Sequence, residues 1–213
     1  MSILLAASKK DVVERYKSAL EGAGVKFKGF EIEIFSLARA VIGRFRMPVI
    51  LLDIGALSVK IGVVDRSSIR MAYSIERGSQ AFTLALSQAM GVNFERAEEM
   101  KKKIGISPSP EAEGIRRIIT PLLDHIFDEV EKLRSLYFKR NQKTIEKVIL
   151  SGGGSLMPGL VEYAVKRFGI EVLAAAPFDT LEYPTFLQPM IRKIAPSFGI
   201  ASGLALRGLK DKN

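Results

Sequence analysis

A chain of 213 residues is long enough to bury a core of its own, and its 47% hydrophobic and 26% charged residues are those of a globular protein. The formal net charge of +9 favours acidic partners or anionic surfaces; the basic residues are dispersed, though, with no aromatic-studded groove, so nucleic acid is not an expected partner. The absence of cysteine leaves no disulfide or thiol chemistry and fits the cytoplasm, the single His125 argues against histidine-built metal sites and triads, and no apolar run is long enough to cross a bilayer.

Residues 3–7 read as a buried strand, because the start lacks the basic region of a signal peptide. A helix is expected over 9–22, with Ser8 as its N-cap and Gly22 and Gly24 near its end. Alternation of apolar and polar residues over 25–33 suggests a second strand. A short helix over 34–45, rich in small residues, ends before Pro48. Three strands then follow closely, over 48–54, 57–65 and 69–76, with Asp65-Arg-Ser-Ser68 as the second turn. Amphipathic helices are expected over 79–90 and 94–104, and 105–110 is a loop. Apolar residues from Ile115 to Tyr137 recur along one helical face, with Pro121 near the start of that helix or kinking it. A strand over 145–150, a helix over 158–168, a strand over 171–175 and a small-residue helix over 198–207 complete the chain. The order predicts a mixed sheet covered by helices.

Four motifs stand out. Asp53-Ile-Gly55 lies at the crest of a hairpin, at the carboxyl end of a wholly apolar strand. Glycine there lets backbone amides approach an anion, and the acid is placed to hold a hydrated cation. Ser58 offers a hydroxyl to a phosphate oxygen and Lys60 a charge, unless alternation turns Lys60 to solvent. Taken alone, the same residues make an ordinary hairpin. Gly152, Gly153 and Gly154 follow an apolar strand, where backbone without Cβ admits a phosphate or a flat ring; a flexible turn is the plainer reading. Glu98 and Lys101 share a helix face, suited to a ribose and an adenine or simply to a surface ion pair. The final helix, with Gly199, Ala201, Gly203 and Ala205, permits close packing or a hinge.

Together and in this order the motifs resemble the second half of the actin-like ATPase superfamily, and in detail the type IV pilus assembly PilM branch, which is related to FtsA. The details are Leu-Asp-Ile-Gly-Ala at 52–56, Ser-Gly-Gly-Gly-Ser-Leu-Met-Pro-Gly-Leu at 151–160, Ala-Pro-Phe at 176–178 and Phe-Gly-Ile-Ala-Ser-Gly-Leu-Ala-Leu-Arg at 198–207. The resemblance implies an α/β fold, an actin-like (RNase H-like) second lobe with a mixed sheet flanked by helices. That lobe would occupy 48–213. Residues 1–47 would be a small α/β remnant of the subdomain inserted in the first lobe, plus the first connecting helix, 36–44. The helix over 198–207 would be the second connecting helix.

The resemblance also implies ATP and magnesium as cofactors. Asp53, Gly55, Ser58 and Lys60 would face the phosphates, Asp53 holding the metal through water, and Glu98, Lys101, Gly152, Gly153 and Gly154 would face the adenosine. It implies a cytoplasmic protein, peripheral to the inner membrane through a membrane-anchored PilN-like partner and the pilus motor complex. The superfamily clamps phosphate between two hairpins, one per lobe, and this sequence holds one Asp-x-Gly. The expectation is therefore an N-terminally truncated or reduced form with no catalytic residue of its own and no meaningful hydrolysis. It would self-associate or dock a separately encoded first lobe. An actin-fold ATPase or kinase, or an FtsA-like division protein, is the alternative.

Overall fold

In the computed structural model, which describes residues 7–43, 45, 47–179 and 181–210, the apolar run Val49–Ile54 forms a central strand, β1, buried at every position. It pairs antiparallel with Val59–Asp65 (β2), which pairs antiparallel with Ser68–Ile75 (β3). On its other side it pairs parallel with Lys147–Ser151 (β4), which pairs parallel with Glu171–Ala174 (β5). The sheet order is β3-β2-β1-β4-β5. The β2–β3 turn places Arg66 and Ser67 at positive φ, as a tight hairpin between twisted strands requires.

Burial on both sheet faces explains why β1 is apolar throughout, since its side chains alternate between two cores. Ile50, Leu52 and Ile54 face one core with Phe82 and Leu86 of Ser79–Met90 (α3) and Ile119, Leu123 and Phe127 of Glu113–Asn141 (α5). Phe94–Lys103 (α4) and Leu160–Phe168 (α6) complete that side. Val49 and Leu51 face a smaller core with Ile34 and Leu37 of Glu33–Val41 (α2), joined by Ile200 of Gly199–Lys210 (α8). Asp53 is the next residue on this second face. Gly62 lets α2 lie on the sheet, because a Cβ there would meet Ile34 Cγ1 at 2.6 Å. The far end of α5 is tied down by Asp65, which accepts from the Tyr137 hydroxyl and the Lys143 ammonium, both at 2.9 Å.

The structure departs from the sequence reading in several places. Only Ala7 of the strand expected over 3–7 lies among the described residues. Lys10–Gly22 (α1) is capped at Lys9, not Ser8, and no side chain caps it. Residues 25–32 are not a strand. A strand needs a neighbour for its backbone, and none pairs with them among the described residues. The segment instead brings Phe27 and Phe30 together, ring centroids 4.7 Å apart, with Tyr16 of α1 edge-on to Phe30. α2 stops at Val41, short of the expected Phe45. Of the two placements expected for Pro121, near the start of α5 or at a kink within it, the residue lies in the helix interior. Gln188–Ile194 (α7) was not anticipated: its Pro189 reads as a breaker but sits in the first turn, where a missing N–H costs little.

Candidate functional site

The site forms where the parallel strands β1 and β4 end, side by side. Asp53 pairs in register with Ser151 on one side and Lys60 on the other. Carboxyl ends of adjacent parallel strands are where open α/β sheets receive ligands. Asp53 is 4% exposed. Burial pushes its carboxyl above the usual carboxylate range; the Ser151 hydroxyl and the Lys60 ammonium oppose this, and Glu33 adds to it.

The turn after β1 is closed by the Gly55 amide donating to Ser58 O at 3.0 Å. A Cβ on Gly55 would press on that same oxygen at 2.9 Å, so glycine is required by the turn itself. The carbonyls of Gly55 and Ala56 accept from the amides of Ser79 and Gln80, at 2.8 and 2.9 Å. The hairpin therefore caps α3 and is braced by it. Leu57, 73% exposed, stands at the tip. Lys60 does not run out to solvent: its ammonium donates to Ser58 Oγ at 2.6 Å and pairs with Glu33 at 2.5 Å.

Of the three glycines after β4, two are needed for packing. Gly152 has φ +84 and a Cβ there would strike the carbonyl of Ile54. A Cβ on Gly154 would meet Ile54 Cγ2 at 2.5 Å and Ser79 Cβ at 2.9 Å. Gly153 alone is open, with only Ser197 Oγ near, at 3.9 Å. The Gly152 amide donates to Pro196 O at 2.8 Å, and the Ser151 hydroxyl donates to the same carbonyl at 3.0 Å. Ser151, Pro196 and Ser197 thus join the turn to the start of α8. The motif strings contained Ser151, but no spacing in the sequence ties Pro196 to it.

Glu98 and Lys101 lie where α4 meets α3, joined to the hairpin and the glycine turn through Ser79, which accepts from Lys101, donates to Gly55 O and packs against Gly154. Lys101 is 5% exposed, and its three protons go to Ser79 O at 3.1 Å, Thr83 Oγ1 at 2.8 Å and Glu98 Oε2 at 2.6 Å. In this arrangement it offers a ligand no donor and holds α4 onto α3. Burial works to raise the Glu98 carboxyl, but hydrogen bonds from Lys101, Thr83 and Lys102 outweigh it and hold the group at about 2. Glu98 remains partly exposed and presents an acceptor.

The arrangement brings together one buried carboxylate, one hairpin turn and one open glycine at the ends of two parallel strands. No group of three metal-ligating side chains occurs among the described residues. The Asp53 carboxylate is the kind of single donor that a hydrated magnesium ion would take, because that ion keeps most of its waters. No helix among the described residues is long and apolar enough to cross a membrane.

The family described as type IV pilus assembly protein PilM matches residues 1–209. A solved PilM-PilN type IV pilus biogenesis complex is similar at 26% identity and TM-score 0.78, covering 93% of this chain and 58% of that one. MreB 5 of Spiroplasma citri, solved bound to AMPPNP, is similar at 13% identity and TM-score 0.68, covering 97% of this chain and 67% of that one. The cell division protein FtsA of Streptococcus pneumoniae serotype 2 is 20% identical over 196 residues, which are 82% of this chain and 42% of FtsA. The chain thus spans less than half of that curated relative. The fold is actin-like, with a mixed sheet flanked by helices.

Proposed function

The chain belongs to the type IV pilus assembly protein PilM family, and from that premise we propose that it is a scaffold of type IV pilus or related secretion assembly with an inherited, incomplete ATP site. The observation that carries the reading is the pairing of the Asp53 hairpin with the glycine turn, which on this reading is one half of a phosphate clamp. The Asp53 hairpin and the glycine turn lock together through Ile54, with Ala56, Leu57 and Gly153 exposed and Ser58 half-buried. Phosphoryl transfer depends on charge stabilisation from both sides of an in-line geometry. With one wall, catalysis falls further than binding.

On this reading Asp53 holds magnesium through water, Gly55 and Ser58 line the phosphate side, and Lys60 contributes charge only by loosening from Glu33. Gly152, Gly153 and Gly154 lie beneath the adenosine, Glu98 meets the ribose, and Lys101 positions Glu98. Residues 48–213 act as the second lobe, and 1–47 as inserted-subdomain remnant plus first connecting helix. The exposed apolar ridge Phe186, Met190, Ile194 and Phe198 fits a covering first lobe or a second copy.

The partner we propose is the cytoplasmic tail of a PilN-like membrane-anchored protein, with the motor complex assembling around it. That places the chain in the cytoplasm, held at the inner membrane by its partner. α1 buries none of its residues, and a cavity of about 560 Å³ between it and the 30–33 segment is lined by Val12, Val13, Tyr16, Phe30 and Ile32. Such a groove suits an apolar peptide. Pull-down with the immobilised tail tests this: retention that is lost on Tyr16→Asp is expected. Retention of neither form, alongside measurable ATP turnover, would favour an actin-fold ATPase.

A further inference from the structure

β3 is an edge of the sheet: it pairs with β2 on one side, and among the described residues nothing pairs with the other. Edges are commonly blunted by bulges, proline or charge. Here the one register shift, at Val63 and Val64, and the charge of Arg70 blunt the first half of the edge. Residues 71–75 run in regular register with β2 and carry neither proline nor charge. Ala72, Tyr73 and Ser74 are exposed.

The charge on the strand and its flanking turns has one dominant sign. Arg66, Arg70 and Arg77 are exposed, and none has a hydrogen bond or ion pair among the described residues. Of the acids on the strand and its flanks, Asp65 is buried and already bound by Lys143 and Tyr137. Glu76 alone is exposed, and it accepts from Ser74. A second copy would bring another chain of net charge +9 to a cationic edge.

We propose that residues 71–75 of β3 receive an extended, carboxylate-bearing segment of a partner protein, which adds a sixth strand to the sheet. Backbone pairing supplies the affinity, and Arg66, Arg70 and Arg77 select acidic side chains. This surface is separate from the Asp53 site and from the α1 groove, and its test does not depend on either.

The experiment is amide hydrogen exchange on the full chain at low salt, with a short synthetic peptide alternating threonine and glutamate, and with its lysine-for-glutamate counterpart. The acidic peptide should slow exchange over 71–75 and the lysine peptide should not. Arg70→Glu and, independently, Arg77→Glu should each weaken the protection about tenfold. Unchanged exchange over 71–75 with the acidic peptide overturns the proposal, as does equal protection by both peptides. Protection that grows with protein concentration alone assigns the edge to a second copy and overturns it too.

Discussion

A buried acid whose carboxyl is pushed upward is held there against its own solvation. Asp53 is such a group. Its folded-state value lies above the ordinary 3.8, so its cost to stability is absent below pH 3.8 and complete once pH has risen past the folded value. Asp53→Asn should therefore stabilise the ligand-free chain at neutral pH, a gain that fades in acid. Urea unfolding at several pH values checks this. A loss of stability at neutral pH would mean that the charge is satisfied, not strained. Glu98 has the opposite sign. Its folded value of about 2 lies below 4.5, so its contribution is full above pH 4.5 and disappears as pH falls toward 2. Glu98→Gln should cost about 1 kcal/mol at pH 7, discounted for partial exposure, and nothing at pH 2. Lys101→Ala should cost more, about 3 kcal/mol, because it strips a buried lysine's partners of their donor. The Glu98–Lys101 spacing was legible in the sequence, but its burial was not: that depends on Thr83 and Ser79, which come from another helix.

At the level of elements, the closest fit is α2 against α8. A Cβ on Gly203 would run into the Ser36 carbonyl, and one on Gly199 would meet Leu37 Cδ1 at 2.5 Å. Arg39 of α2 donates to Gly203 O at 3.0 Å and pairs with Glu31, whose carboxyl is drawn down to about 2 chiefly by that arginine. Gly203→Val should force the helices apart and cost about 3 kcal/mol or more, seen as a lowered melting temperature. The glycines after β4 give a sharper contrast. Gly153→Ala should fold normally, whereas Gly152→Ala, with φ +84 and the Ile54 carbonyl in its way, should be severely destabilised. Equal melting temperatures for these two variants would contradict the packing described. Strands and long helices were readable because burial on two faces, or on one helical face, leaves a periodic record. The 25–33 segment carries the same record without a strand. There Phe27 and Phe30 join an aromatic cluster with Tyr16, and periodicity does not report whether a backbone partner exists.

For the whole molecule, the hairpin, the glycine turn and the small-residue helix were each weak signals, and their order along the chain made the actin-like fold legible. What could not be read was how the site is braced: the Pro196 carbonyl holding Ser151 and Gly152, and the hairpin carbonyls capping α3, join residues far apart in sequence through backbone atoms that no side-chain motif records. The same bracing is built from the chain's own backbone and side chains, as the proposed scaffold role requires. Calorimetric titration of the chain with magnesium and ATP tests that account most directly. The proposed one-walled clamp predicts no saturable heat, corresponding to a dissociation constant weaker than about 1 mM. Binding in the micromolar range, abolished by Asp53→Ala, would contradict it and show a complete site.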